Sequence, residues 1–436
     1  MQSITEIIKE FRKPCVCGMK HETAVRDVRI SAGLVHQVGK ILWENGFPRT
    51  LLLVADRNTL AASDGIIESL SEFLIEYHIY DEIRVARMEH VEAIERLIAG
   101  RDIGILSVGT GSVNDPCRLA AARQGKMLCI FATAPSMDGF ASYSSPIVKN
   151  GFKASYPAKS PEVIIGDTNI LAAAPQCLKS AGFGDMVAKY IALADWKISS
   201  LLTDEVYCER VGKLTRDAVD KLLSMADRVT ENDPETAGEI FRALLMTGIG
   251  MSFMHNSRPA SGSEHIISHL IECVELRKGI TPNYHGEDIG VCTLLMLKYY
   301  NELAERETIT AGKEHLDWDD IYAFYGEMAD DVRALNEPTT ITDAVEPAAL
   351  QQRWPQIRQI IAEELPPREK IYALMQHAGM PLSPRDLGLT GADTAQALVG
   401  SRDIRDKYLT SSMLWDLGLL EQAAKELQTM VDAGRL

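Results

Sequence analysis

No run of lysine or arginine stands out in the 436-residue chain, and the formal net charge is -16. A polyphosphate backbone would be repelled by that charge with no basic patch to offset it, which excludes nucleic acid as a partner. Long hydrophobic runs are missing as well: no stretch approaches the ~18 apolar residues of a membrane span. The amino-terminal MQSITEIIKEFRK mixes charges into its apolar positions and so lacks a signal-peptide core. A cytoplasmic protein with no membrane partner is the expectation. Paired cysteines are scarce: of eight, only Cys15 and Cys17 lie close together. A single C-x-C without a second pair is a weak signal for zinc or a disulfide, so reduced thiols are expected. Internal repeats and low-complexity tracts are absent too.

What is present is an ordinary globular composition, 46% hydrophobic and 24% charged, long enough for two or three domains at roughly 150 residues each. Through the first ~180 residues short apolar runs recur between helical patterns: TLLLVA at Thr50, EIRVA at Glu82, IGILSV at Ile103, MLCIFA at Met127 and VIIG at Val163. Strands alternating with helices imply a parallel sheet. Beyond Ala181 helical periods take over, as in DMVAKYIALADWKISSLL from Asp185 and TAGEIFRALLMTGIGMSFM from Thr236. The expected architecture is a Rossmann-like α/β domain over residues 1–182 and an all-α domain over 183–436. A cleft between such halves is where small-molecule sites preferentially form.

The run IGILSV leads straight into GTGSVNDPCRLAAA, where Gly109, Thr110, Gly111 and Ser112 precede a helix. Glycines let the backbone approach a ligand, and the free amides and dipole of a helix start suit a pyrophosphate. The standard G-x-G-x-x-G is lacking, and a candidate ribose-binding acid, Asp56, comes before the glycines instead of after them. A plain tight turn at the loop and a helix cap at Asp56 fit these segments equally well.

The segment SGSEHIISHLI carries His265 and His269 one turn apart, about 40° from each other on a helical wheel. A wet polar face explains such a pair. His285, in NYHGEDIGVCTLLML, sits at the start of a helix with an apolar run, and Asp185 reads as the N-cap of a long apolar helix. One carboxylate and two imidazoles make a three-ligand site with open positions, as a Lewis-acid metal needs.

Taken together, TAPSMDGFAS at Thr133, KASYPAKSP at Lys153, AGFGDMVAKYIALADW at Ala181, RPASGSEHIISH at Arg258 and HGE at His285 resemble the iron-containing alcohol dehydrogenase and glycerol dehydrogenase superfamily. Within it they are similar to the bacterial sn-glycerol-1-phosphate dehydrogenases, over nearly the whole chain. The resemblance implies a divalent metal, nickel or zinc with iron also accepted, held by Asp185, His265 and His285. It implies a coenzyme held by Gly109 to Ser112, Asp115, Thr133 and Ser136, although the family's loop usually reads G-G-G-S and this chain has Thr110. NAD(H) is favoured over NADP(H) because Asp56 suits a ribose hydroxyl and disfavours a phosphate. Asp138 would orient substrate, His269 would lie in the cleft, and Lys153, Lys159 and Arg258 would meet a substrate phosphate.

The implied reaction is reversible reduction of dihydroxyacetone phosphate to sn-glycerol 1-phosphate by a homodimer or larger assembly. Two rival enzymes share the resemblance: a polyol dehydrogenase acting on glycerol, and a dehydroquinate synthase-like cyclase that regenerates its NAD in each turnover. A binding protein without catalysis stands against the presence of both the coenzyme loop and all three presumed ligands.

Overall fold

A computed structural model describes residues 3–436. Eight strands form: β1 Asp27–Ser31, β2 Thr50–Asp56, β3 Leu74–Tyr80, β4 Gly104–Gly109, β5 Leu128–Ala132, β6 Ser144–Lys149, β7 Phe152–Pro157 and β8 Val163–Asp167. Six make one sheet in the order β1-β8-β5-β4-β2-β3, parallel at every pairing. Successive side chains of a strand point to opposite faces, and both faces here are apolar. Leu51 and Leu53 join Leu106, Val108 and Phe131 on one side, while Leu52 and Val54 join Ile105 and Ile130 on the other. Helices cover both faces, which is why these strands read as continuous apolar runs.

The strand expected at Glu82 to Ala86 does not form. Its place in the sheet is taken by Leu74–Tyr80, paired along β2, and the EIRVA segment is extended chain without a ladder. The hairpin of β6 and β7, absent from the expectations, turns at Asn150 and Gly151, both with positive φ. That pair suits the turn type whose twist matches the flanking strands.

After β8 the described residues are helical to the carboxyl terminus. The helix Gln176–Val187 runs through the boundary expected at residue 182, so the change from strand to helix comes earlier, after Asp167. The second half closes around its own core, with Phe183, Met186, Ile191, Ile267, Ile271, Val291 and Leu294 among its members. Among the described residues no helix is long and apolar enough to cross a membrane.

The chain leaves β2, adds β3 on one side and returns to place β4 on the other. The carboxyl ends of β2 and β4 therefore flank the point where strand order reverses, the usual ligand crevice of an open parallel sheet. Asp56 and Gly109 are the residues at those two ends.

Candidate active site

A cavity of about 790 Å³ runs from these strand ends into the helical half, a size typical of sites that enclose small ligands. At the sheet end the helix Gly111–Gln124 starts with its N-terminus in the cavity wall, and Thr110, Gly111, Ser112 and Asp115 line the opening. Asn114 fixes the loop, accepting from Ser107 at 2.6 Å and donating to the Gly109 carbonyl at 3.3 Å. The absence of side chains is needed here: a Cβ on Gly109 would press into Val113, and one on Gly111 would crowd Met137. Thr133 and Ser136 lie in the same wall. Asp56 is a helix cap, its Oδ1 accepting from the Thr59 amide at 2.8 Å, and the residue also lines the cavity.

At the other end three helices converge. Asp185 lies near the end of Gln176–Val187, His265 in the first turn of Ser263–Arg277, and His285 at the start of His285–Ala304. Asp185 is therefore not the N-cap of the helix that follows; Ala188 separates the two, and Asp185 is 0% exposed. Glycines let the ligand-bearing helices touch. A Cβ on Gly286 would overlap the Ala181 carbonyl, one on Gly184 would overlap the Gly286 carbonyl, and one on Gly182 would overlap that of Pro135. Backbone contact between Ala181–Asp185 and His285–Gly286 thus sets the spacing of Asp185 and His285.

His265 enters by another route. Asp195 accepts from the Ser263 amide at 2.6 Å and from its hydroxyl at 2.7 Å, with Tyr300 also bonded to it. A carboxylate at a helix N-terminus is stabilised by the unpaired amides there, so Asp195 anchors the helix that presents His265. Burial pushes the Asp195 carboxyl up to about 6, with Glu264 adding to the rise. Glu264 Oε1 lies 2.6 Å from His265 Nδ1, which turns Nε2 toward Asp185 Oδ1 at 3.3 Å.

Ligand atoms of Asp185, His265 and His285 all lie within 4.8 Å of one another. Nδ1 of His285 and of His269 are buried with no hydrogen-bond partner among the described residues. Three converging donors of these types, with orphaned ring nitrogens beside them, fit a divalent metal. The wet-face reading of the histidine pair fails, since His265 and His269 are buried. The ring of His269 is 6.2 Å from that of His265 and stacks on His285 at 5.4 Å, which places it in the same pocket.

The spacing of the motifs did not reveal Lys189. Fully buried, it lies 2.7 Å from both Asp138 Oδ2 and Asp185 Oδ1 and donates to the Ala260 carbonyl at 3.1 Å. Its four-residue offset from Asp185 brings the two side chains together across the break at Ala188, and that spacing is the signal that would have found it. Burial alone would raise the Asp185 carboxyl, but Lys189, His265 and His285 outweigh it and hold that carboxyl well below the ordinary range. Asp138 shifts the other way, raised by burial and by the Asp185 charge, and its amide donates to Asp185 Oδ2 at 2.8 Å. Burial also pushes His269 and His285 well below the usual imidazole value. Asp115 is raised to about 6 by burial, against the pull of Arg118, which sits 3.0 Å away.

Of the three cations expected at a substrate phosphate, one is in the cavity. Lys153 lines it and pairs with Glu272. Lys159 is turned away and pairs with Glu162, whose other oxygen accepts from the Leu128 amide at 2.9 Å. Arg258 is 1% exposed and fully engaged by Glu205, Ser199 and the Tyr408 carbonyl, outside the cavity lining. Two cations that the sequence did not point to also line the cavity: Arg84, whose guanidinium lies 4.0 Å from the centre of the Tyr284 ring, and Arg405, which donates to the carbonyls of Ile404 and Lys153.

Comparison with known proteins shows the family and the fold. The model of the iron-containing alcohol dehydrogenase family matches residues 29–175. A glycerol-1-phosphate dehydrogenase, NAD(P)+, of Halalkalibacterium halodurans is 30% identical over 321 residues, which is 71% of this chain and 79% of that protein. Its namesake in Bacillus licheniformis is 26% identical over 428 residues, 96% of each chain. Among solved structures, a probable glycerol dehydrogenase of Sinorhizobium meliloti superposes with a TM-score of 0.64 at 18% identity, covering 94% of this chain and 98% of that one.

Proposed function

The chain belongs to the glycerol-1-phosphate dehydrogenases of the iron-containing alcohol dehydrogenase family, and we propose on that premise that it reduces dihydroxyacetone phosphate reversibly to sn-glycerol 1-phosphate with NAD(P)H. One observation carries the reading. A single cavity has a glycine loop and helix start at one end and Asp185, His265 and His285 at the other. When bound, the nicotinamide supplies the hydride, and a divalent metal held by those three residues supplies a Lewis acid for the carbonyl oxygen.

The chain's own groups do the rest. Amides at the start of Gly111–Gln124 receive the coenzyme pyrophosphate, with Thr133 and Ser136 beside the nicotinamide. Asp56, at the switch-point end of β2, accepts from the adenosine ribose and repels a 2′-phosphate, which favours NAD over NADP. Lys153 and Arg405 receive the substrate phosphate through charge-assisted hydrogen bonds. Lys189 holds Asp185 as a carboxylate in a dry pocket and pairs with Asp138, which orients the substrate. His269, kept neutral by burial, offers Nδ1 to a substrate hydroxyl. Asp and two His suit zinc, nickel or iron, and nickel or zinc is our assignment. The division into a coenzyme half and a metal half, falling after β8, a homodimeric assembly and a cytoplasmic location complete the reading.

A glycerol dehydrogenase is the second reading, favoured by the ion pair that neutralises Lys153. The test follows NADH absorbance with dihydroxyacetone phosphate or dihydroxyacetone, using chelator-stripped enzyme restored with nickel, zinc or iron, with chiral analysis of the product. Metal-dependent oxidation with the phosphorylated ketone, giving the sn-1 isomer, is expected. Preference for the unphosphorylated ketone would favour the second reading, and no net oxidation with either would overturn both.

A further inference from the structure

Far from the cavity, a second cluster of ligand-type side chains assembles from parts that are remote in sequence. Cys15, Cys17 and His21 lie in the irregular stretch between the helix Ile4–Phe11 and β1, and Cys208 is the residue that precedes the helix Glu209–Leu223. Their sulfur and nitrogen atoms all lie within 4.8 Å of one another. Cys15 Sγ is 3.7 Å from Cys208 Sγ, His21 Nε2 is 3.5 Å from Cys208 Sγ, and it is 3.4 Å from Cys17 Sγ. None of the four lines the cavity.

We propose that Cys15, Cys17, His21 and Cys208 bind a structural zinc ion that ties the amino-terminal segment to the helical half of the molecule.

The spacing fits that ion. A tetrahedral zinc with sulfurs at ~2.3 Å and a nitrogen at ~2.0 Å separates its ligand atoms by roughly 3.5–3.8 Å. The imidazole is also set for the task. His21 Nδ1 lies 3.2 Å from the Phe253 carbonyl, which can only accept, so Nδ1 carries the hydrogen and Nε2 keeps its lone pair toward the sulfurs. The ring is 1% exposed, and Phe11, stacked on Phe253 at 4.7 Å, meets it edge-on at 5.8 Å.

Three thiols also argue against a disulfide as the purpose of the cluster. Any one bridge would leave a thiol and a correctly oriented imidazole without a role. Cys208 is 0% exposed and is held in place as the residue directly before the helix Glu209–Leu223. With three cysteines and one histidine the coordination shell is closed, leaving no position for substrate. Such sites stabilise folds and do not catalyse. A stretch of chain with no helix or strand between residues 12 and 26 is where a cross-link has most to restrain.

The test uses the full-length enzyme loaded with cobalt in place of zinc. Thiolate ligands give cobalt an intense charge-transfer band in the near ultraviolet, whereas a site made of Asp185, His265 and His285 has no sulfur and gives none. Wild type is expected to bind two metals per chain and to show the band. Asp185→Asn should bind one metal and keep the band; Cys208→Ser and Cys17→Ser should each bind one and lose it while retaining turnover. Alkylation adds a readout that needs no variant: Cys15 and Cys17, both partly exposed, should be protected in the zinc form and react after chelation. Two observations would overturn the proposal: a wild-type protein that takes up cobalt without the band, or a reduced native protein with one metal per chain and freely alkylated Cys15 and Cys17.

Discussion

Glu264 and Arg405 show how much single side chains add to this site. Glu264 fixes the ring of His265 through a 2.6 Å contact to Nδ1. Partners of this kind typically contribute 10–100-fold in metal affinity. Glu264→Gln should weaken metal binding by about that factor, read by competition with a chromogenic chelator, while the circular dichroism spectrum stays unchanged. Arg405 meets no carboxylate in its hydrogen bonds, whereas Lys153 pairs with Glu272. Arg405→Gln should therefore raise KM for dihydroxyacetone phosphate about 10–100-fold and leave KM for dihydroxyacetone nearly unchanged, the loss expected of one charged hydrogen bond. Equal losses on both ketones would remove Arg405 from phosphate recognition. Glu275 tests linkage away from the site. Burial first, then Glu272 and Asp393, push its carboxyl up to about 7 against the pull of Lys278. The folded chain thus holds that proton more tightly than the unfolded one, and stability falls as pH rises from 4.5 through 7. Glu275→Gln should raise stability by roughly 1 kcal/mol near pH 8, with solvent screening allowed for, and do nothing near pH 4. That Asp185, His265 and His285 come together was legible because several motifs fell in the right order. Side-chain direction was not: Lys159 and Arg258 sit in matching motifs, yet Glu162 and Glu205 consume their charges. Arg405 lies in SRDIRDKYL, where nothing in the spacing separates it from its neighbours.

At the level of elements, the contact between Gln176–Val187 and His285–Ala304 is made by backbone atoms. Gly286→Ala should force the two apart, costing about 1–3 kcal/mol as overpacking does. It should also loosen the metal by moving His285 relative to Asp185. Denaturant unfolding and metal titration on one preparation check both. Unchanged metal affinity in a destabilised protein would separate packing from ligand placement. Strands β2, β4, β5 and β8 were readable from their apolar runs because both sheet faces are buried. EIRVA misled because alternation marks an extended chain without saying whether it finds a partner, and the longer run Leu74–Tyr80 takes the place beside β2. The hairpin was missed although Asn150-Gly151 is a strong turn signal. Glycines in AGFGD and HGE were noticed as motif letters, but the backbone contact that requires them depends on a partner about a hundred residues away.

For the molecule as a whole, the -16 net charge and the anionic substrate oppose each other, so attraction must come from cations inside the cavity, above all Arg84 and Arg405, which donate to backbone carbonyls. On the proposed reading coenzyme and metal engage different halves of the chain, so each should stabilise folding by mass action. NADH at about 100 times its Kd is expected to add ~2.7 kcal/mol. A thermal melt with chelator, with metal and with metal plus NADH should give three rising midpoints. No further rise with NADH would place the coenzyme elsewhere. Asp185, His265 and His285 all belong to helices of one half, braced by glycine contacts, while the glycine loop after Gly109 belongs to the sheet. The molecule is in this sense a vice with its fixed jaw already machined. On the proposed reading the spent nucleotide leaves from the sheet side without disturbing any of the three residues that hold the ion, since none of them belongs to the part it touches.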